Sequence, residues 1–394
     1  MNAGPLRVRS GRIALLLLVL SSLSPAYADE WHYSGVDRIV AIGDVHGAFD
    51  ALVETLQQAG VVDDRLNWSG GKTHLVFIGD LLDRGARSRD VMDLVMRLER
   101  QALRSGGRVH LLLGNHEVMN MTGDLRYVAD EEYAAFLDDE SAEEREYWFK
   151  QFRPGKPEDS DESAVRREFD ELAPPGYFGH RRAFRRDGVY GKWLIEKPFI
   201  VVVNDTAFVH GGLPPLVANH GLAGVNVGLK ADLTTYLESR EELTAAGVLG
   251  PIDRFKKIPD LLAAKLDAGT VPDASLGAAQ DAVEFSKSPL HWAAGPTWYR
   301  GTASCSQLIE GDVVNAAFNK INARRVVMGH TATITRRVQQ RMDGGVIEID
   351  TGMLNSVYEG SGHALIIEND KLSVVNQDGT KRLPPIEHPI RVGH

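Results

Sequence analysis

An α/β layered domain is the fold class this sequence predicts, on three observations. Short apolar runs alternate with helical patterns over residues 38–113, hairpin signals join several later runs, and five of the runs end in glycine-flanked polar clusters. The first run is "RIVAI" (38–42), followed by "AFDALVETLQQAG", whose helical periodicity stops at Gly60. "HLVFI" (74–78) comes next, then "SRDVMDLVMRLERQALRSGG" with Gly106 and Gly107 as stops, then "VHLLL" (109–113). This is a βαβαβ pattern. Further strands are predicted at "FIVVV" (199–203), "AFV" (207–209), "RVVM" (325–328), "GVIEI" (345–349), "ALII" (364–367) and "LSVV" (372–375). Asn204-Asp205 and Glu368 to Asp370 read as hairpin turns.

The chain has 394 residues, 43% hydrophobic and 25% charged, which suits a globular protein with a sizeable core. Its N-terminus differs. Arg7, Arg9 and Arg12 precede the apolar "IALLLLVLSSL", and Ala26-Tyr27-Ala28 fits a small-residue cleavage site, so residues 1–28 read as a secretory signal peptide. The mature chain, 29–394, is then one domain, exported and most simply periplasmic in a bacterium. An uncleaved N-terminal anchor is the alternative. No later segment offers about 18 consecutive apolar residues, so no stable membrane anchor is expected. Cys305 is the single cysteine, which excludes an internal disulfide and, by its position, a lipid-modified N-terminal cysteine.

Two helical insertions are predicted, at about 118–195 and 217–295, beside the core fold. The first holds an acidic block: residues 130–171 carry 16 Asp or Glu against 6 Lys or Arg. Tyr133, Phe136, Leu137, Tyr147 and Trp148 have helical spacing there, and Pro154 and Pro157 break it. "HRRAFRR" follows, and its Arg181, Arg182, Arg185 and Arg186 suit either an anion or the acidic block. With a formal charge of −10, the chain has no electrostatic footprint for nucleic acid.

Chemistry-bearing residues follow the strands. "RIVAI" leads to Asp44 and His46, "HLVFI" to Asp80, Asp83 and Arg84, "VHLLL" to Asn115, His116 and Glu117, "AFV" to His210, and "RVVM" to His330. In a parallel sheet these carboxyl ends share one edge, where α/β folds place ligands. Each cluster alone reads better as a turn. Together, two Asp, three His and one Asn suit divalent metals that accept oxygen and imidazole donors, such as manganese, iron or zinc. Calcium prefers all-oxygen ligands, and a closed structural zinc site needs only four residues. Six ligands point to two ions sharing a carboxylate. Such a site meets the needs of phosphate ester hydrolysis, namely hydroxide available near neutral pH and a charge clamp on the phosphoryl oxygens. Asp83 with His116 can supply the leaving-group proton and Arg84 the guanidinium.

"GDVHG", "GDLLDRG", "GNHE", "HGG" and "GHT", in this order, resemble the calcineurin-like metallophosphoesterases, and "GDLLDRG" with "GNHE" resembles their phosphoprotein phosphatase branch. "GNHEVMNMTGDLRYV" and "GPTWYRG" are similar to the bacterial-type Shewanella-like protein phosphatases. The resemblance covers roughly residues 37–355. It implies a layered β-sandwich of mixed sheets flanked by helices. It also implies Asp44 and His46 on a first metal, Asp80 bridging, and Asn115, His210 and His330 on a second. By the same resemblance His116 is the general acid held by Asp83, Arg84 grips phosphate, Asn115 also faces the substrate, and a further arginine joins them. Arg300 in "WYRG" is the candidate for that arginine, with Arg181 or Arg182 as alternatives. Where some relatives read Gly-His-x-His, this chain has "GHTA", so that last ligand is absent.

Other motifs fail. "GGKT" at 70–73 lacks the first glycine of a phosphate-binding loop, since Leu66 stands there, and a strand follows. "HEVMN" has Asn120 where a zinc protease motif needs its second His. His180 reads as a surface residue, or else as a substrate contact. Glu117 reads as structural, anchoring its loop. Three functions remain open: a phosphomonoesterase acting on phosphoproteins or small phosphoesters, a nucleotide or dinucleotide polyphosphate hydrolase, and a non-enzymatic metal-binding scaffold.

Overall fold

The computed structural model describes residues 30–384 apart from 156 and 158–160, so the predicted signal peptide lies outside the described residues. Two six-stranded mixed sheets face each other. The first is built from β2 (Arg38–Ile42), β3 (His74–Phe77), β4 (Arg108–Leu111), β10 (Ala364–Glu368), β11 (Lys371–Asn376) and β12 (Gly379–Arg382). Its order is β12-β11-β10-β2-β3-β4, with β2, β3 and β4 parallel as the βαβαβ pattern requires. The second contains β1 (His32–Tyr33), β5 (Ile200–Val203), β6 (Thr206–Val209), β7 (Arg325–Met328), β8 (Gln339–Arg341) and β9 (Val346–Glu348). It runs β1-β5-β6-β7-β9-β8. Both predicted hairpins are present, pairing β5 with β6 and β10 with β11 antiparallel.

Side-chain alternation explains the layers. Ile39, Ala41 and Val76 of the first sheet meet Val201, Phe208 and Val327 of the second between the sheets. Val40, Ile42, Leu75 and Phe77 point the other way, into a core shared with the helices Phe49–Gln58 and Ser88–Arg104. Strands buried on both faces read as continuous apolar runs, which is why the sequence revealed them. Each such Val, Leu or Ile contributes roughly 1.5–3 kcal/mol by leaving water. Three strands were not predicted: β1, β8 and β12. They are short, lie at or beside sheet edges and carry polar residues, "QQR" in β8 and "GTKR" in β12, as edge strands do.

The first insertion holds helices at Ala142–Phe152, Glu162–Leu172 and Tyr177–Phe184 around its own small core of Tyr133, Phe149, Phe169 and Phe178. The apolar spacing read across 133–148 is not one helix, because the chain breaks into Asp130–Ala134, a single tight turn at Leu137–Asp139 and Ala142–Phe152. Leu137 and Tyr147 are consequently exposed. The second insertion starts with Pro215–Ala245, kinked at Gly221 (φ 69°), whose Val225, Leu229 and Leu233 join the main core. No helix among the described residues is long and apolar enough to cross a membrane.

Candidate active site

The predicted polar clusters converge, but not on one parallel edge. Asp44, Asp80 and Asn115 follow β2, β3 and β4 of the first sheet, whereas His210 and His330 follow β6 and β7 of the second. The site spans the meeting edges of both sheets. Local backbone is unusual: His46 (φ 50°), Asp80 (53°), Asp83 (70°), Arg84 (70°) and His330 (62°) all occupy the left-handed region. Non-glycine residues there cost of order 1–3 kcal/mol each and cluster at functional sites. Gly114 is extended (φ −85°), and what its missing side chain permits is contact. A Cβ there would lie 2.2 Å from Asp80 Oδ1, and one at Gly329 would lie 2.2 Å from Asp44 Oδ1.

Lone pairs face one another across this junction. His210 Nδ1 lies 3.0 Å from the carbonyl of Ile78, which fixes the proton there and leaves Nε2 pointing inward. That Nε2 is 3.2 Å from Asp80 Oδ2, 3.0 Å from Asn115 Oδ1 and 3.2 Å from His330 Nδ1. His46 repeats the device, with Nδ1 on the carbonyl of Leu82 at 3.0 Å and Nε2 3.9 Å from Asp44 Oδ2 and 3.8 Å from Asp80 Oδ2. Asp44, His46, Asp80, Asn115 and His210 are at most 3% exposed. One extra proton can satisfy only one of these contacts. Burial opposes that proton on His210, yet the carboxylates of Asp80 and Asp44 outweigh it and hold the imidazole up at about 9. Asp44 itself is raised, by burial and by Asp350. Divalent cations would satisfy every lone pair at once, and the mixed oxygen and imidazole set fits them. Asp80 belongs to both groupings of donor atoms, one with His46 and one with His210 and His330.

His116 also stands within reach of His46 and Asp80, but Asp83 engages one of its nitrogens and a guanidinium lies beside the other. Nδ1 lies 2.5 Å from Asp83 Oδ2, and Nε2 lies 3.2 Å from Arg84 Nη2, a cation that would repel a metal. Burial lowers its affinity for a proton, but Asp80 and Asp83 reverse this and the net shift is upward. Asp83 is held in turn by Asn120 Nδ2 (2.8 Å) and is wholly buried. Glu117 accepts from the backbone N–H groups of Asp80, Leu81 and Gly114, each at 2.8 Å, so it anchors the loop as read.

A cavity of about 220 Å³ opens over these residues, with Arg84 and Arg300 both on its wall. Arg300 is braced by its own bonds to the carbonyl of His330 (3.2 Å) and to Thr331 Oγ1 (2.8 Å). Arg181 and Arg182 line a different cavity, so Arg300 is the second arginine that the geometry favours. His180 is not a surface residue and does not reach this cavity: it is 1% exposed and its ring packs on Tyr133, Phe136 and Phe184. Sequence reading missed Tyr127, Trp298 and Tyr358. Tyr127 and Tyr358 flank the Arg84 guanidinium at 5.0 and 5.3 Å, and Trp298 stands edge-on to His330 at 5.5 Å. Tyr127 and Trp298 stood inside the quoted "GNHEVMNMTGDLRYV" and "GPTWYRG" without an assigned role, and Tyr358 lay in no motif. Asp350, buried and acting on Asp44, lay in none either.

This fold and donor set define a phosphoesterase, and the chain belongs to that family: residues 37–333 match the model of the calcineurin-like phosphoesterases. Within the family it is similar to Shewanella-like protein phosphatase 2 of Arabidopsis thaliana, at 35% identity over 205 residues, 48% of this chain and 50% of that protein. The chain thus spans about half the length of that relative. An uncharacterized protein of Schizosaccharomyces pombe is 30% identical over 86% of this chain and 79% of its own. Among solved structures, the cold-active protein-tyrosine phosphatase of a psychrophilic Shewanella species aligns with a TM-score of 0.58 and 25% identity, over 92% of this chain and 85% of that one.

Proposed function

We propose that this protein is a metal-dependent phosphomonoesterase acting on phosphoproteins. The observation that carries the reading is the junction of buried lone pairs, shared through Asp80, beneath a cavity walled by two arginines. Asp44, His46 and Asp80 would hold one divalent ion, and Asp80, Asn115, His210 and His330 a second; manganese, iron and zinc all suit these donors. Two such ions would supply a nucleophile from water near neutral pH and a charge clamp on the phosphoryl oxygens. Arg84, set between Tyr127 and Tyr358, and Arg300 orient the phosphate from the wall of the cavity. Asn115 lines the same cavity. His116, kept protonated by Asp83, delivers its proton to the leaving oxygen. Complete acid and arginine sets speak against a scaffold without activity.

Phosphoprotein is preferred over dinucleotide polyphosphate because a relative that matches 48% of this chain and a solved structure that aligns with 92% of it are both named protein phosphatases. Purified, manganese-loaded protein is expected to hydrolyse phosphoserine, phosphothreonine or phosphotyrosine peptides in preference to dinucleotide polyphosphates. The reverse preference, measured as kcat/KM, would overturn the substrate class. The reading includes export: N-terminal sequencing of protein from a periplasmic fraction is expected to start near Asp29.

A further inference from the structure

A second cavity, of about 420 Å³, lies at the opposite end of the helix Asn115–Thr122 from His116 and touches it at Met121. Its wall carries Arg181, Arg182, Arg185, Arg186 and Arg240 against the carboxylates of Glu144 and Glu241. The arginine run in "HRRAFRR" therefore divides. Arg182 is spent on Glu144 of the acidic block (2.6 Å), and Arg186 on Glu238 (3.1 Å) and Glu241 (3.6 Å). Arg185 reaches Asp187 at 3.4 Å, on the rim.

Arg181 and Arg240 are different. Among the described residues neither has a carboxylate within 4.0 Å. Arg181 donates to the carbonyl of Asn120 (2.5 Å), and Arg240 to the carbonyls of Thr122 (3.0 Å) and Asp253 (3.3 Å) and to the Tyr236 hydroxyl (3.3 Å). The two guanidiniums crowd Gly123 together, since a Cβ there would meet Arg240 Cζ at 3.2 Å and Arg181 Nη2 at 3.3 Å. Arg240 is only 8% exposed. A helix C-terminus offers the equivalent of about half a negative charge, too little to balance one buried and one half-buried cation. Burial and the charge of Arg240 accordingly pull the Arg181 guanidinium down to about 10. Tyr147, Trp148 and Phe178 line the same cavity as an aromatic wall.

We infer that this cavity is a second ligand site, separate from the catalytic one, for an organic anion: a phosphate, sulfonate or carboxylate head between Arg181 and Arg240 on an aryl body packed against Tyr147 and Trp148. Charge and shape each set one term of that chemistry. Paired guanidiniums take the fork geometry of such a head, and the aromatic wall takes a ring.

Benzenesulfonate and inorganic sulfate, titrated calorimetrically into the metal-loaded protein, test this. Benzenesulfonate is expected to bind once per chain, more tightly than sulfate, and still to bind when vanadate fills the catalytic cavity. Arg240→Met is expected to weaken it at least tenfold. Because Arg240 also caps a helix, the exposed Tyr147→Ala is the second variant, expected to remove the preference for benzenesulfonate over sulfate. Absence of binding, binding that vanadate abolishes, or unchanged affinity in both variants would each overturn the inference.

Discussion

The sheet junction and the first insertion handle charge in opposite ways. At the junction, carboxylates and imidazoles are withdrawn from water and aimed by backbone: Ile78 and Leu82 carbonyls set the two histidines, and Glu117 gathers three N–H groups. In the insertion, charges such as Arg182 with Glu144 and Arg166 with Glu146 pair at the surface, with side-chain exposures of 28–47%. Surface pairs are worth roughly 0–1 kcal/mol and tolerate change, whereas a buried charge left alone costs several. The chemistry resides where rearrangement is expensive.

That contrast is broken most severely at Asp80. Asp80→Ala is expected to lower aryl phosphate hydrolysis to background and to reduce bound metal, read by metal analysis of the purified variant. Activity at unchanged metal content would sink the shared-carboxylate reading. Next in size, His116→Asn should retain metal yet lose a factor of roughly 10² to 10⁴ in kcat, the usual contribution of a general acid. If metal is lost with it, His116 is a ligand and the role given to Asp83 falls.

Arg300→Ala sharpens the comparison at the cavity wall, where a charged hydrogen bond to phosphate is worth about 1.5–3 kcal/mol. A fall in kcat/KM of roughly 10- to 100-fold follows from that range, at unchanged metal content. A steady-state assay on an aryl phosphate shows it, and no change would return the second arginine to open candidacy.

The smallest effect belongs to the insertion, at His180, whose ring nitrogens have no hydrogen-bond partner among the described residues. Burial and then the charge of Arg181 push its imidazole well below its ordinary value of 6.5. The folded state therefore favours neutral His180, and stability declines as pH falls below about 6.5, where the unfolded imidazole takes up a proton. His180→Leu is expected to raise Tm, since an unsatisfied buried polar group costs about 1–3 kcal/mol, and the gain should grow between pH 7 and pH 5. Thermal melts at the two pH values decide it; an equal or lower Tm for the variant at pH 5 would refute the account.

The proposal of export rests on sequence alone, on Arg7, Arg9, Arg12 and the apolar stretch behind them. Much of the site was readable in the same way, because glycine-flanked Asp, Asn and His stood directly behind apolar runs. Each strand places its next residues at a sheet edge, so ligand candidates are local facts of sequence. Arg300 was readable only through a motif resemblance, Trp298 stood in the same motif without a role, and Tyr358 was not readable at all, since what brings it to Arg84 is the packing of distant loops.

Sequence alone determined the strands buried on both faces, the two crossover helices, the hairpins and the list of donors, because burial and turn chemistry act over a few residues. Tertiary structure decided the rest. It divided five donor-bearing strands between two sheets, made Asp80 the common neighbour of His46 and His210, and assigned the arginines of "HRRAFRR" to separate partners. Those outcomes depend on lone pairs and charges from remote segments meeting within 4 Å, and only the packed chain sets which ones meet.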